Sequence, residues 1–85
     1  MISKEKALMI ANKLGVTFDK FSFAEFLTGL NVELEHGLVN PATNVTNDDL
    51  EMTAKIALAH LNELPNYYNP DYGLLKFEEF LKSKL

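Results

Sequence analysis

Apolar residues recur along this chain at helical rather than strand spacing. Ala7, Leu8, Ile10, Ala11 and Leu14 form a first stripe, opened by Ser3 as a cap and followed by Gly15 at the C′ position, and they predict a helix over residues 4–14. Phe23, Phe26, Leu27, Leu30 and Leu34 follow the i, i+3, i+4, i+7, i+11 pattern of one buried face. Ser22 and Glu25 frame its start as a capping box and Gly37 marks the expected end, so the second helix covers 23–36. Residues 38–46 hold the proline and asparagines of a true loop, long for two neighbouring helices, and loops of that length often carry function.

Thr46 or Asn47 is the expected cap of a third helix over 48–64, with Asp48, Asp49 and Glu51 in its first turn opposing the positive end of the helix dipole. Leu50, Ala54, Ala57, Leu61 and Leu64 make its core stripe, the alanines allow close approach of another helix, and Pro65 closes it. After the turn-rich run Asn66 to Gly73, the residues Leu74, Leu75, Phe77, Phe80, Leu81 and Leu85 predict a final helix over 74–84. The expectation is an all-α fold: one domain over residues 1–85, a compact bundle of about four helices, with two helix-loop-helix units as one way of arranging them.

Composition supports a folded chain without naming its task. An apolar share of 47% and a charged share of 24% are those of a globular protein, and 85 residues allow one core. The absence of cysteine removes disulfides, thiolate metal sites and redox motifs. A net charge of −4 argues against nucleic acid as the partner, because affinity for it rests on neutralising phosphates with basic side chains. The one basic cluster, Lys76, Lys82 and Lys84, is explained by the preference of a last helical turn for cations. No apolar run reads as a signal peptide or membrane span, so a cytoplasmic protein without membrane association is expected.

Candidate chemistry lies beside the apolar stripes rather than opposite them. At about 100° per residue, Glu33 and His36 share one flank of the second helix, and Asp49, Thr53, His60 and Glu63 share the matching flank of the third. Glu33 to His36 and His60 to Glu63 supply carboxylate and imidazole ligands of the kind used in helical-bundle metal sites, so Glu33, His36, His60 and Glu63 form a candidate set for a divalent transition metal such as zinc, manganese or iron. Asp48, Asp49, Tyr67 and Tyr68 are candidate supporting or contact residues. A rise of 1.5 Å per residue puts Asp49 roughly 16 Å from His60, so one compact site cannot hold every group. Antiparallel helices are expected to separate Glu33 and His36 from His60 and Glu63, and more nearly parallel ones to unite them. The competing reading is structural, with acids at helix starts and histidines at helix ends satisfying dipoles and backbone groups, and no cofactor at all.

Phe77-Glu78-Glu79-Phe80-Leu81 nearly repeats Phe23-Ala24-Glu25-Phe26-Leu27 and resembles the exit of an EF-hand, with Gly73 at the sharp-turn position. Loop positions 1, 3 and 5 are then Tyr68, Pro70 and Tyr72, which carry no carboxylate, so calcium is not expected.

The ordered motifs NVELEHG (31–37), TNVTNDD (43–49), KIALAHLNE (55–63) and Pro65-Asn66-Tyr67-Tyr68 resemble an uncharacterised family of small bacterial and phage-encoded domains. The resemblance covers roughly residues 5–70, with the tail from Asn69 onward departing from it, and implies no activity. With no Ser/His/Asp or Cys/His triad and no glycine-rich phosphate loop, the first expectation is a non-enzymatic binding or interaction module that meets an unidentified protein partner through the 38–49 loop and the tyrosine segment, with a phage or mobile-element accessory as one form of it. The alternative is a metal-binding protein or metal-dependent hydrolase using the carboxylate and histidine set.

Overall fold

The first three α-helices begin where a polar side chain satisfies free amides of the first turn, whereas the fourth follows Gly73 with no side-chain cap. In the computed structural model, which describes residues 1–44, 46–47 and 49–85, Ser3 caps α1 (Lys4–Leu14) by accepting from the Lys6 amide, and Gly15 ends it in the left-handed conformation at φ 72°. Ser22 and Glu25 form the expected reciprocal capping box at the start of α2 (Phe23–Val39). Asp49 caps α3 (Leu50–Glu63) by accepting from the Met52 amide, and α4 spans Leu74–Lys82. A short 3₁₀ turn, Pro41–Thr43, lies in the 38–49 loop, and no strand occurs among the described residues. The all-α prediction holds.

Four boundaries differ from the sequence reading, two of them slightly: α3 ends at Glu63 rather than 64, and α4 at Lys82 rather than 84. Gly37 does not end α2, which runs on to Val39; a Cβ there would come within 3.1 Å of Asn44 Oδ1, so the glycine lets the loop fold back onto the helix. The cap of α3 is Asp49 rather than Thr46 or Asn47, and Thr46 is buried, with its hydroxyl 3.2 Å from Asn44 Oδ1. Asp48 and Val45 lie outside the described residues.

The core is built by α1, α2 and α3. Ala7, Ile10 and Ala11 of α1, Phe26 and Leu30 of α2, and Ala54, Ala57 and Leu61 of α3 are buried together, and the small residues permit the close helix approach that their pattern predicts. The α1–α2 connection carries Phe18, whose ring meets those of Phe21, Phe23 and Phe26 edge to face at 5.7 to 6.0 Å. Those contacts hold its backbone at φ 57°, a costly conformation for a side chain of that size. Asn31 ties the N-terminus to α2, accepting from the Ile2 amide at 2.6 Å while donating to the Leu27 carbonyl.

α2 and α3 run antiparallel. Gly37 lies by Thr46 and shares a cleft with Ile56; Glu33, one turn earlier, meets His60, one turn later; Gly29, a further turn back, lies under Tyr68 beyond the end of α3. α4 differs from the other helices in that it buries no residue, and Leu75, Phe77, Phe80 and Leu81 are exposed. The bundle is therefore a three-helix core with a fourth helix on its margin.

Candidate functional site

Three elements and one loop converge on a single carboxylate. α2 presents Glu33 and His36 on adjacent turns, the last turn of α3 presents His60, the loop after α3 supplies Tyr67 and Tyr68, and the first turns of α4 bring Glu78. Tyr68 is 1% exposed, with its ring lying across Gly29, where a Cβ would come within 2.5 Å of Cε2. Only a glycine on α2 gives the ring that berth.

The Tyr68 hydroxyl donates to Glu33 Oε2 at 2.5 Å, and His60 Nδ1 lies 3.0 Å from the same hydroxyl and 3.3 Å from Glu33 Oε2. A phenol has one proton to give. With that proton on Glu33, the hydroxyl accepts from His60, which assigns the Nδ1–H tautomer to the ring. Tyr67 stacks on His60 at 4.4 Å and 11° and meets Tyr68 edge-on at 4.9 Å. Burial, followed by the Glu33 hydrogen bond and charge, pushes the Tyr68 phenol far above the ordinary tyrosine range, and burial with the charges of Glu33 and Glu78 raises Tyr67.

His36 stands between two carboxylates, with Nδ1 3.7 Å from Glu33 Oε1 and Nε2 3.9 Å from Glu78 Oε1. These spacings are electrostatic contacts rather than hydrogen bonds. Glu78 Oε1 is buried and has no hydrogen-bond partner among the described residues. Glu78 was not singled out as a site residue by the sequence, although the pentad that contains it was; the signal available was a glutamate beside the apolar face of a helix otherwise marked only by its aromatic residues.

The fold thus brings together Glu33, His36 and His60 and adds Tyr68 and Glu78, even though α2 and α3 are antiparallel. The expected separation assumed that the end of α2 lies opposite the start of α3; instead Glu33 sits six residues before the end of α2 and His60 ten after the start of α3, and the intervening loop absorbs the offset. Glu63 is exposed and makes none of these contacts. Asp49 is a helix cap, Thr53 is fully buried with its hydroxyl donating back to the Asp49 carbonyl at 2.8 Å, and both lie away from the cluster. Asp48 is outside the described residues.

Among the described residues no group of three or more His, Asp or Glu side chains is placed to hold a metal ion. The Tyr68 hydroxyl lies between Glu33 and His60, 2.5 Å from Oε2 of the one and 3.0 Å from Nδ1 of the other. What the arrangement does chemically is hold one proton between a buried phenol and a carboxylate and fix an imidazole against them.

A family model described as "Protein of unknown function (DUF5661)" matches residues 7–79. The chain belongs to that family. The match passes through the tyrosine loop and into α4, so it reaches beyond residue 70 and takes in Tyr68 and Glu78 as well as both histidines. No curated protein and no solved structure matches the chain. No helix among the described residues is long and apolar enough to cross a membrane.

Proposed function

We propose that this chain is a non-enzymatic interaction module whose contact surface is the tyrosine loop together with the outer face of α4. The observation that carries the reading is the contrast between two surfaces. In the polar cluster the central carboxylate is already engaged, with Glu33 only 10% exposed and Tyr68 donating to it, whereas Phe77, Phe80 and Leu81 of α4 stand in solvent and join an apolar strip through Tyr72 to Leu64. Contiguous exposed apolar surface of this kind marks an interaction site.

The cluster supports the same reading in a structural role. Tyr68 pins the loop into the α2–α3 seam and Glu78 faces His36, so the polar contacts set where α4 leaves the core and hence how its face is presented. The last turn of α2, where the following loop begins, adds Leu38 and Val39 as exposed apolar residues. An accessory role of phage or mobile-element origin is supported by the resemblance of the motifs and by the size of the domain.

The test compares the tagged chain with its Phe77→Glu/Phe80→Glu variant in cells that make the protein. The proposal expects a protein recovered with the former and lost with the latter, and no turnover on a panel of hydrolase substrates. Identical recoveries with both chains, or turnover that depends on Glu33 or His60, overturn it.

A further inference from the structure

The apolar strip on α4 has features that choose its occupant. Phe77, Phe80 and Leu81 occupy one face at i, i+3 and i+4, exposed by 64%, 57% and 63%, and Lys84 continues that face with its Nζ 5.2 Å from the centre of the Phe80 ring. Tyr72, itself exposed, lines one cleft with Phe77 and Leu64 and a second with Phe77 and Phe80, so the strip is continuous from the end of α3 to the C-terminal turn. With Leu64 and Tyr72 included, aromatic and leucine areas of about 200 Å² each make the exposed strip roughly 600 Å², the lower end of one side of a standard protein interface.

Charge settles orientation and disfavours a lipid. Asp71 lies at the N-terminal end of the strip, in a cleft it shares with Lys76, whose charge is met by Glu79 at 3.3 Å, and Lys82 and Lys84 lie at its C-terminal end. Two strips laid parallel would place lysines on lysines. Laid antiparallel about a two-fold axis between Phe77 and Phe80, each Phe77 meets the other Phe80, each Tyr72 approaches the other Leu85, and each Asp71 approaches the other pair of lysines, with the helix dipoles opposed. Residues 74–85 carry three lysines against two glutamates, a net +1, while residues 1–73 carry five lysines against ten acids, a net −5. An anionic bilayer attracts clusters of several basic residues and would repel the acidic body, so that charge pattern favours another protein surface.

We infer that the α4 strip docks a second copy of this chain, antiparallel and two-fold, with Phe77 and Phe80 at its centre and Asp71 facing Lys82 and Lys84 across it. The inference rests on the interaction-module reading and names its partner. Isologous pairing needs one self-complementary patch, and this strip carries apolar centre and both charges on one surface. A short chain with a three-helix core gains buried apolar area by it that the monomer lacks.

Sedimentation equilibrium on the 85-residue chain, from about 5 to about 200 μM, reads the association directly because dimer mass depends on protein concentration. The expected result is a rise from one chain to two. Phe80→Glu holds the mass at one chain with an unchanged far-ultraviolet helical spectrum, since Phe80 is 57% exposed and lies outside the three-helix core. Asp71→Lys weakens the dimer about tenfold, and adding Lys84→Glu to it restores most of the loss. A single-chain mass throughout for the unaltered protein, or a Phe80→Glu chain that dimerises as well, overturns the inference. Co-sedimentation of a monomeric chain with phosphatidylserine vesicles, lost in Phe80→Glu, assigns the strip to lipid and also overturns it. If the chain is monomeric but its recovered partner is still lost with Phe77→Glu/Phe80→Glu, the self-association fails and the interaction module stands.

Discussion

The ring of Tyr68 rests on Gly29, thirty-nine residues earlier in the chain, so closely that a methyl group on that glycine would come within 2.5 Å of Cε2. The ring is 1% exposed and sits in the α2–α3 seam, so it cannot swing outward without taking the loop with it. A helix-interior glycine is disfavoured by about 1 kcal/mol against alanine, and here the space it leaves outweighs that cost. Gly29→Ala should therefore destabilise the fold by about 1 to 2 kcal/mol in urea denaturation, instead of stabilising it as helix propensity alone predicts. A more stable variant would show that the ring shifts freely.

Removing the hydroxyl alone tests the polar half of the same residue. Tyr68→Phe keeps the ring, leaves Glu33, only 10% exposed, without its donor, and leaves His60 Nδ1–H without the hydroxyl that accepts from it. Loss of a buried donor to a charged acceptor costs about 1 to 3 kcal/mol. The expected outcome is a fall of that size in unfolding free energy with the helical spectrum retained.

Alkaline stability follows from the raised phenol. Tyr68 stays protonated in the fold well above the 10.0 of a free tyrosine, because burial and the Glu33 carboxylate both oppose its anion. A group raised in this way contributes its stability fully below the unfolded value, and loses it as pH rises above about 10 while the unfolded chain releases the proton first. Unfolding free energy should fall by at most about 1.4 kcal/mol per pH unit above pH 10 on account of this group. The Tyr68→Phe chain should lack that part of the slope, and equal alkaline slopes in the two chains would refute the assignment.

Asp49 separates a cap from a ligand. Its Oδ1 accepts from the Met52 amide at 3.0 Å, so Asp49→Ala should cost about 1 kcal/mol, or roughly 4 to 8 °C in midpoint, with Asp49→Asn or Asp49→Ser recovering most of it. Thermal melts followed by circular dichroism decide this. Recovery by neither variant would point to a role for the carboxylate beyond the cap.

Zinc provides a direct check on the proton-sharing cluster. One equivalent should leave the ring resonances of His36 and His60 unmoved, because the Tyr68 hydroxyl stands between Glu33 and His60 and Glu63 is not with them. Stoichiometric shifts of both rings, seen by nuclear magnetic resonance, would reinstate Glu33, His36 and His60 as metal ligands.

By itself the sequence determined the helices. Ser3, Ser22 with Glu25, Gly15 and the apolar stripes act within one or two turns, so their consequences are readable from neighbours in the chain, and the Glu33, His36 and His60 flank was visible from the same periodicity. Which of those flank residues meet was decided only by the tertiary structure. Glu33 reaches His60 because the 38–49 loop sets the register of two antiparallel helices, and Tyr68 enters between them because Gly29 leaves room thirty-nine residues away. Likewise the stripe on α4 was legible as amphipathic, but a stripe reports only that a face is apolar; whether the chain buries that face depends on where the loop delivers the helix, and here it delivers it outside the core.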